Sequence, residues 1–140
     1  ALNDEVVATV GLQSGQIGSI ADKVRNEVVR RAVEYTGGDK LPAVGGKRVI
    51  MVDDGLASGY SMIAAAMMIR KLDPAEMILG VPVSPASSFK TVDEYFDHIF
   101  CLIAQMNLPF AVASFYGDFH EMSDGEIRKI LGSVNSGREA

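Results

Sequence analysis

"VIMVDDGLASGYSM", Val49 to Met62, decides how the rest of the chain is read. A β-branched, apolar run ends in two adjacent acids, Asp53 and Asp54. Gly55, Leu56, Ala57, Ser58, Gly59, Tyr60 and Ser61 follow, and an Ala- and Met-rich helical pattern begins at Met62. The run from Arg48 to Asp53 does not alternate polar and apolar residues, so it reads as a strand buried on both faces. Gly55 and Gly59 permit positive φ and close approach of backbone to a ligand. The amides from Leu56 to Ser61 should converge at the N-terminus of the next helix. Free N–H groups and the helix dipole favour an anion there, most simply a phosphate dianion.

Two carboxylates beside an anion site make sense if the ligand also offers hydroxyls or a hydrated Mg²⁺. The local chemistry therefore asks for a sugar 5-phosphate. Its hydroxyls would lie near Asp53 and Asp54, and its phosphate on the small-residue loop. A purely architectural reading has Asp53 capping the loop, Asp54 solvated and the glycines turning the chain. That reading suits an isolated D-D-G but leaves the A-S-G-x-S run after it unexplained. The loop is not a Walker loop, because it has no G-K-[ST], and it is not the dinucleotide fingerprint G-x-G-x-x-G.

Working outward, Ile17, Ile20, Ala21, Val24, Val28, Ala32 and Tyr35 follow helical spacing from Ser14 to Tyr35. Lys23, Arg25, Glu27, Arg30, Arg31 and Glu34 lie largely off that stripe and read as a solvated face. Arg30 and Arg31 are a weaker candidate for a phosphate contact. Gly37-Gly38 should end this helix and open a flexible connection. After the signature strand come a helix over Met62–Leu72, a strand over Met77–Val83, a helix over Ser87–Phe96 and a strand over His98–Ile103. Pro109 argues against a continuous helix between Met106 and Asp118. Ser123 and Glu126 form a capping box ahead of Ile127, Ile130 and Leu131, and the tail from Gly132 should fray. The sum is one domain over 1–140. It comprises a helical and flexible segment at 1–47, a βαβαβ core with a C-terminal helix at 48–131, and a tail at 132–140. The fold class is three-layer α/β with a mainly parallel sheet, and its ligand site lies beyond the carboxyl ends of the strands.

The 140 residues carry a formal charge of -5 and a pI of about 4.9. That disfavours a general nucleic-acid binder, which needs a basic face. One cysteine and two histidines do not make a disulfide or a zinc site. Cys101 reads as a core residue, His98 and His120 as structural or exposed, and Met62, Met67 and Met68 as core packing with Ile63 and Ile69. No apolar run approaches a bilayer span. The expected setting is the cytoplasm, with no membrane partner. The strand at Arg48–Asp53 is expected to lack a neighbour, and such an edge invites a homodimer.

At these residues the chain resembles the type I phosphoribosyltransferases. Their phosphoribosyl-diphosphate (PRPP) signature is a hydrophobic strand, two acids and a small-residue loop with Thr-Gly-x-Thr. Ser58 and Ser61 stand where the threonines would, which keeps the hydroxyls, and Tyr60 stands where many members carry a small residue. "LGVPVSP", "FCLI", "PFAVASFYGDF", "SDGEI", "ALNDEVV" and the Arg31–Tyr35–Gly37–Gly38 stretch are similar to a subgroup known as predicted phosphoribosyltransferases.

The resemblance implies that Asp53 and Asp54 are catalytic. They would bind the ribose hydroxyls, favour an oxocarbenium-like transition state and hold Mg²⁺, in part through water. Gly55 to Ser61 would hold the 5-phosphate. PRPP would be the substrate and a nitrogen base the acceptor, with diphosphate released. The family grips that diphosphate with a loop after an earlier strand, and no counterpart occurs between Ala1 and Lys47. The chain also begins without methionine. The expectation is the C-terminal part of a longer protein. The alternatives are a non-catalytic module of the same fold that senses PRPP or a nucleotide, and a receiver-like domain. The receiver-like domain fails for want of an Asp ending a later strand and a following Lys.

Overall fold

A computed structural model describes residues 2–36, 43–106 and 109–136. In chain order its elements are α1 (Asp4–Val10), α2 (Ser14–Thr36), β1 (Arg48–Val52), α3 (Tyr60–Arg70), β2 (Glu76–Pro85), α4 (Ala86–Val92), β3 (His98–Gln105) and α5 (Asp124–Ser136). Short 3-10 turns lie at Asp93–Tyr95 and Val112–Phe115. The chain divides into two compact units, Ala1–Asp4 with Pro42–Phe119, and Glu5–Leu41 with His120–Ala140.

The first unit holds a parallel sheet in the order β1-β2-β3. Met51 pairs with Leu79 and Leu79 with Ile99, while Val52 pairs with Gly80 and Gly80 with Phe100. Because side chains alternate across a strand, these two rows face opposite sides. Met77, Leu79 and Val81 point to the side on which Leu56, Met62, Ile63, Ala66, Val92 and Phe96 form the buried core. Each fully buried Leu, Val or Met there contributes about 1.5–3 kcal/mol. This is the expected α/β class, a parallel sheet flanked by helices.

The signature strand is not buried on both faces. Met51 packs against the core, but Ile50 is 63% and Val52 73% exposed, on the same face of the sheet as the open Phe100 and Leu102 of β3. β1 and β3 are the edge strands of this sheet among the described residues, and the core seals only the Met51 side. The unalternating apolar run therefore reported composition, not two-sided burial.

Crossover ends are fastened by polar groups. The Asp97 carboxylate accepts from the Met77 amide at 2.7 Å and from Arg70 at 3.1 Å, and the Asp97 amide donates to Met77 O at 2.8 Å. These bonds lock the start of β2 beside the start of β3. The Met77 amide, more than the Arg70 guanidinium, holds the Asp97 carboxyl below the usual carboxylate range.

On α3, Met62 and Ile63 are buried and Ile69 packs against the core, but Met67 and Met68 are exposed. At 100° per residue, positions 62, 63, 66 and 69 share one side of the helix and 67 and 68 turn off it. The methionine cluster is thus split between core and surface.

In the second unit α2 runs as expected, but none of its residues is buried, and Val24 and Val28 remain more than half exposed. Its charged face is not simply solvated. Arg30 binds Glu27, Glu34 and Asp124, Arg31 binds Glu27, and Arg128 reaches Glu34 at 2.8 Å. Two guanidiniums hold the Glu27 carboxyl down to about 2. The capping box forms: the Ser123 amide donates to Glu126 Oε2 at 2.8 Å and the Glu126 amide to Ser123 Oγ at 3.4 Å. The helix it starts does not fray at Gly132 but continues to Ser136. The predicted stop at Gly37-Gly38 and the last residues of the tail lie outside the described residues.

Candidate functional site

β1 ends at Val52, and the acid pair follows at once. The Asp53 amide stays near the ladder, 3.4 Å from Gly80 O, while its carboxylate accepts the Asp54 amide at 3.0 Å. Desolvation at the strand end raises the Asp53 carboxyl. The Asp54 amide bond opposes that shift, and the neighbouring Asp54 charge adds to it.

The loop beyond the acids is fixed from three sides. The Leu56 amide donates to Val83 O at 2.9 Å, and its side chain is 2% exposed in the core. Ser88 Oγ donates to Ala57 O. Gly59 then caps α3 in the left-handed region, at φ 84°. A Cβ there would meet Val92 Cγ1 at 2.7 Å, so only glycine suits both the conformation and the space. The first hydrogen bond of α3 runs from the Ile63 amide to Gly59 O at 2.9 Å. The amides of Tyr60, Ser61 and Met62 are left without intrahelical partners.

Asp53, Gly55, Leu56, Ala57, Ser58, Gly59, Ser61 and Met62 line a hollow of about 120 Å³. That is below the ~300–1,000 Å³ of pockets that enclose drug-sized ligands, and it suits a compact group such as a phosphate. Its wall combines free helix-terminal amides with the hydroxyl-bearing Ser58 and Ser61. Most of the residues singled out in the sequence therefore meet at one place. Leu56 lines it without a free amide. Asp54 and Tyr60 fall outside its lining. Larger, more apolar hollows occur among the described residues, including one lined by His120, Met122, Glu126 and Ile130.

Two neighbours join the acid pair and its loop: Val112, which the sequence does not single out, and Tyr116, which with Phe115 and Phe119 reads from sequence as a packing residue first and as an aromatic wall for an acceptor base second. Val112 presses its γ-methyls on Gly55, where a Cβ would stand 2.6 Å from both. Tyr116 donates its hydroxyl to the Asp54 main-chain carbonyl at 2.6 Å. Both come from the stretch after β3, whose sequence carries no periodicity to place it. Its aromatic richness, "FAVASFYGDF", was the only hint. Phe110 and Phe115 pair at 5.5 Å, Tyr116 and Phe119 at 5.3 Å. The histidines stand apart: His98 opens β3 at the opposite end of the strands, 3.3 Å from Glu76, and His120 lies 3.7 Å from Glu126. Cys101 is half-buried against the core.

Among the described residues no three His, Cys, Asp or Glu side chains group as a metal site, and no helix is long and apolar enough to cross a membrane. Two adjacent carboxylates do fit the habit of Mg²⁺, which takes one or two carboxylates and completes its shell with water and substrate oxygens.

Comparison with known proteins bears on the same residues. The family model described as "Phosphoribosyl transferase domain" matches residues 5–118. Two curated relatives from two strains of Mycobacterium tuberculosis are named "Putative phosphoribosyl transferase Rv0571c" and "Putative phosphoribosyl transferase MT0597". Each is 33% identical over 131 residues, covering 93% of this chain and 29% of the relative. The chain thus spans under a third of the length of these relatives. Among solved structures, TT1426 from Thermus thermophilus superposes with a TM-score of 0.71 at 26% identity, over 89% of this chain and 59% of that one.

Proposed function

The chain belongs to the phosphoribosyl transferase domain family, and from that premise we propose that it binds the ribose 5-phosphate part of PRPP at the loop after β1. The observation that supports this most is a juxtaposition. The Asp53–Asp54 pair directly follows β1, beside a phosphate-sized hollow at the N-terminus of α3. The free amides of Ser61 and Met62 and the hydroxyls of Ser58 and Ser61, all on residues lining that hollow, would hold the 5-phosphate, with the Tyr60 amide at its rim. Asp53 and Asp54 would accept hydrogen bonds from the ribose hydroxyls.

In the proposed reaction a nitrogen of a base attacks the anomeric carbon. The new C–N bond forms as the C–O bond to diphosphate breaks, and the electron pair leaves with diphosphate. The nitrogen then releases its proton. Positive charge that builds on the ring is stabilised by the two carboxylates, so catalysis is mainly positioning and electrostatics. Asp53 and Asp54 would also hold Mg²⁺, which supplies charge neutralisation at the departing diphosphate.

Calorimetric titration with PRPP in the presence of Mg²⁺ tests the assignment. Binding that is lost in the Asp53→Asn, Asp54→Asn double variant supports it. Undiminished binding in that folded variant refutes the ribose-site assignment.

A further inference from the structure

The acid pair could in principle be held only by its own strand. Instead, a segment more than fifty residues later grips it. Tyr116 Oη donates at 2.6 Å to the carbonyl of Asp54, the second acid. Val112 closes on the next residue, Gly55, so tightly that a Cβ has no room. The peptide between Asp54 and Gly55 is therefore fixed at its carbonyl by the phenol and at its far end by the valine. That peptide joins the two halves of the candidate site, the carboxylates before it and the anion loop after it.

The 3-10 turn at Val112–Phe115 sets this up. Its closing bond runs from the Tyr116 amide to Ala113 O at 3.3 Å. Tyr116 then takes an extended backbone, and its ring packs on Phe119 at 5.3 Å. Tyr116 is 38% exposed, and its hydroxyl is directed onto the Asp54 carbonyl.

We propose that Tyr116 is a positioning residue for the acid pair. Its hydroxyl fixes the Asp54–Gly55 peptide, and through it the direction of the Asp53 and Asp54 carboxylates relative to the phosphate hollow. This rests on the reading of that pair as the sugar-hydroxyl site. The consequence is selective: recognition of the sugar hydroxyls depends on Tyr116, and recognition of a bare anion does not. The amides that would hold the anion belong to the start of α3, where Gly59 and Ser88 fix the chain independently.

The test compares two probes, ribose 5-phosphate and inorganic phosphate, on the full chain and on Tyr116→Phe, by calorimetry, with thermal unfolding recorded alongside. Wild type should bind ribose 5-phosphate more tightly than phosphate. Tyr116→Phe should weaken ribose 5-phosphate by about two- to tenfold, the ratio that one neutral hydrogen bond supports, and leave phosphate unchanged. A Phe119→Leu variant, which alters the neighbouring ring and keeps the hydroxyl, should preserve the wild-type ratio.

Unchanged ribose 5-phosphate affinity in Tyr116→Phe overturns the positioning role while leaving the sugar site standing. Equal loss for both probes, or an equal loss of the ratio in Phe119→Leu, assigns Tyr116 a general packing role and also overturns it. Wild type that does not distinguish the two probes removes the sugar site itself, and the positioning role with it.

Discussion

Gly55 and Val112 are in such close contact that a Cβ on the glycine would stand 2.6 Å from both valine γ-methyls. The backbone of Gly55 does not require a positive φ, so the restriction is one of space alone. Gly55→Ala should destabilise the chain by about 1–3 kcal/mol through overpacking. Adding Val112→Ala should return part of that loss, because the two residues are coupled. Denaturant unfolding of the two single variants and the double variant measures the coupling. Strict additivity would contradict the contact.

Gly59 differs because two penalties coincide there. The left-handed φ of 84° is costly for an L-residue, and Val92 Cγ1 would be 2.7 Å from the new Cβ. Gly59→Ala should cost about 2–4 kcal/mol. It should also shift the amide resonances of Tyr60, Ser61 and Met62, because the cap sets their direction. A loss below about 1 kcal/mol in chemical unfolding, less than the left-handed conformation alone should cost, would argue against this geometry.

Asp53 should show a conflict between stability and binding. Its carboxyl is raised in the folded chain, chiefly by desolvation. A raised pKa means that the folded state resists ionising this group. The resulting stability is present below the unfolded carboxylate value of about 4, and is lost as pH rises through the folded value. Asp53→Asn should therefore be more stable than wild type at neutral pH and should lose that advantage on acidification, while binding ribose 5-phosphate less well. Unfolding curves at neutral and acidic pH check the sign.

Glu27 behaves in the opposite sense. Arg30 and Arg31 hold its carboxyl at about 2 against the usual 4.5. Its contribution is present above 4.5 and is lost as pH falls from there towards 2. A carboxyl-detected NMR titration should place the Glu27 midpoint well below that of an unpaired glutamate. Because the pair is exposed, added salt should move the midpoint back up.

What the sequence disclosed depended on how local the cause was. The Ser123–Glu126 capping box and the Ser14 helix act within a few residues, and each was legible; of the two glycines read as permitting positive φ, Gly59 adopts it and Gly55 does not. Parallel pairing followed from strand–helix alternation. Exposure of Ile50 and Val52 was not legible, because an apolar run looks alike whether one or both faces of its sheet are covered. Met67 and Met68 were assigned to the core by composition, where helical phase decides. The roles that Val112 and Tyr116 take beside the acid pair were beyond reach for a simpler reason. Their contact with Gly55 and Asp54 joins residues far apart in the chain, and no periodicity marks either partner.

The central claim is that the loop after β1 takes a phosphorylated sugar, with its phosphate on the amides that open α3. Titrating the ¹⁵N-labelled chain with ribose 5-phosphate and following backbone amide shifts tests it most directly. The account predicts saturable shifts centred on Asp53, Asp54, Ser58 and Tyr60 to Met62, with inorganic phosphate reproducing only those from Ser58 onward. Shifts confined to other residues, or none in this segment at millimolar ligand, would contradict it.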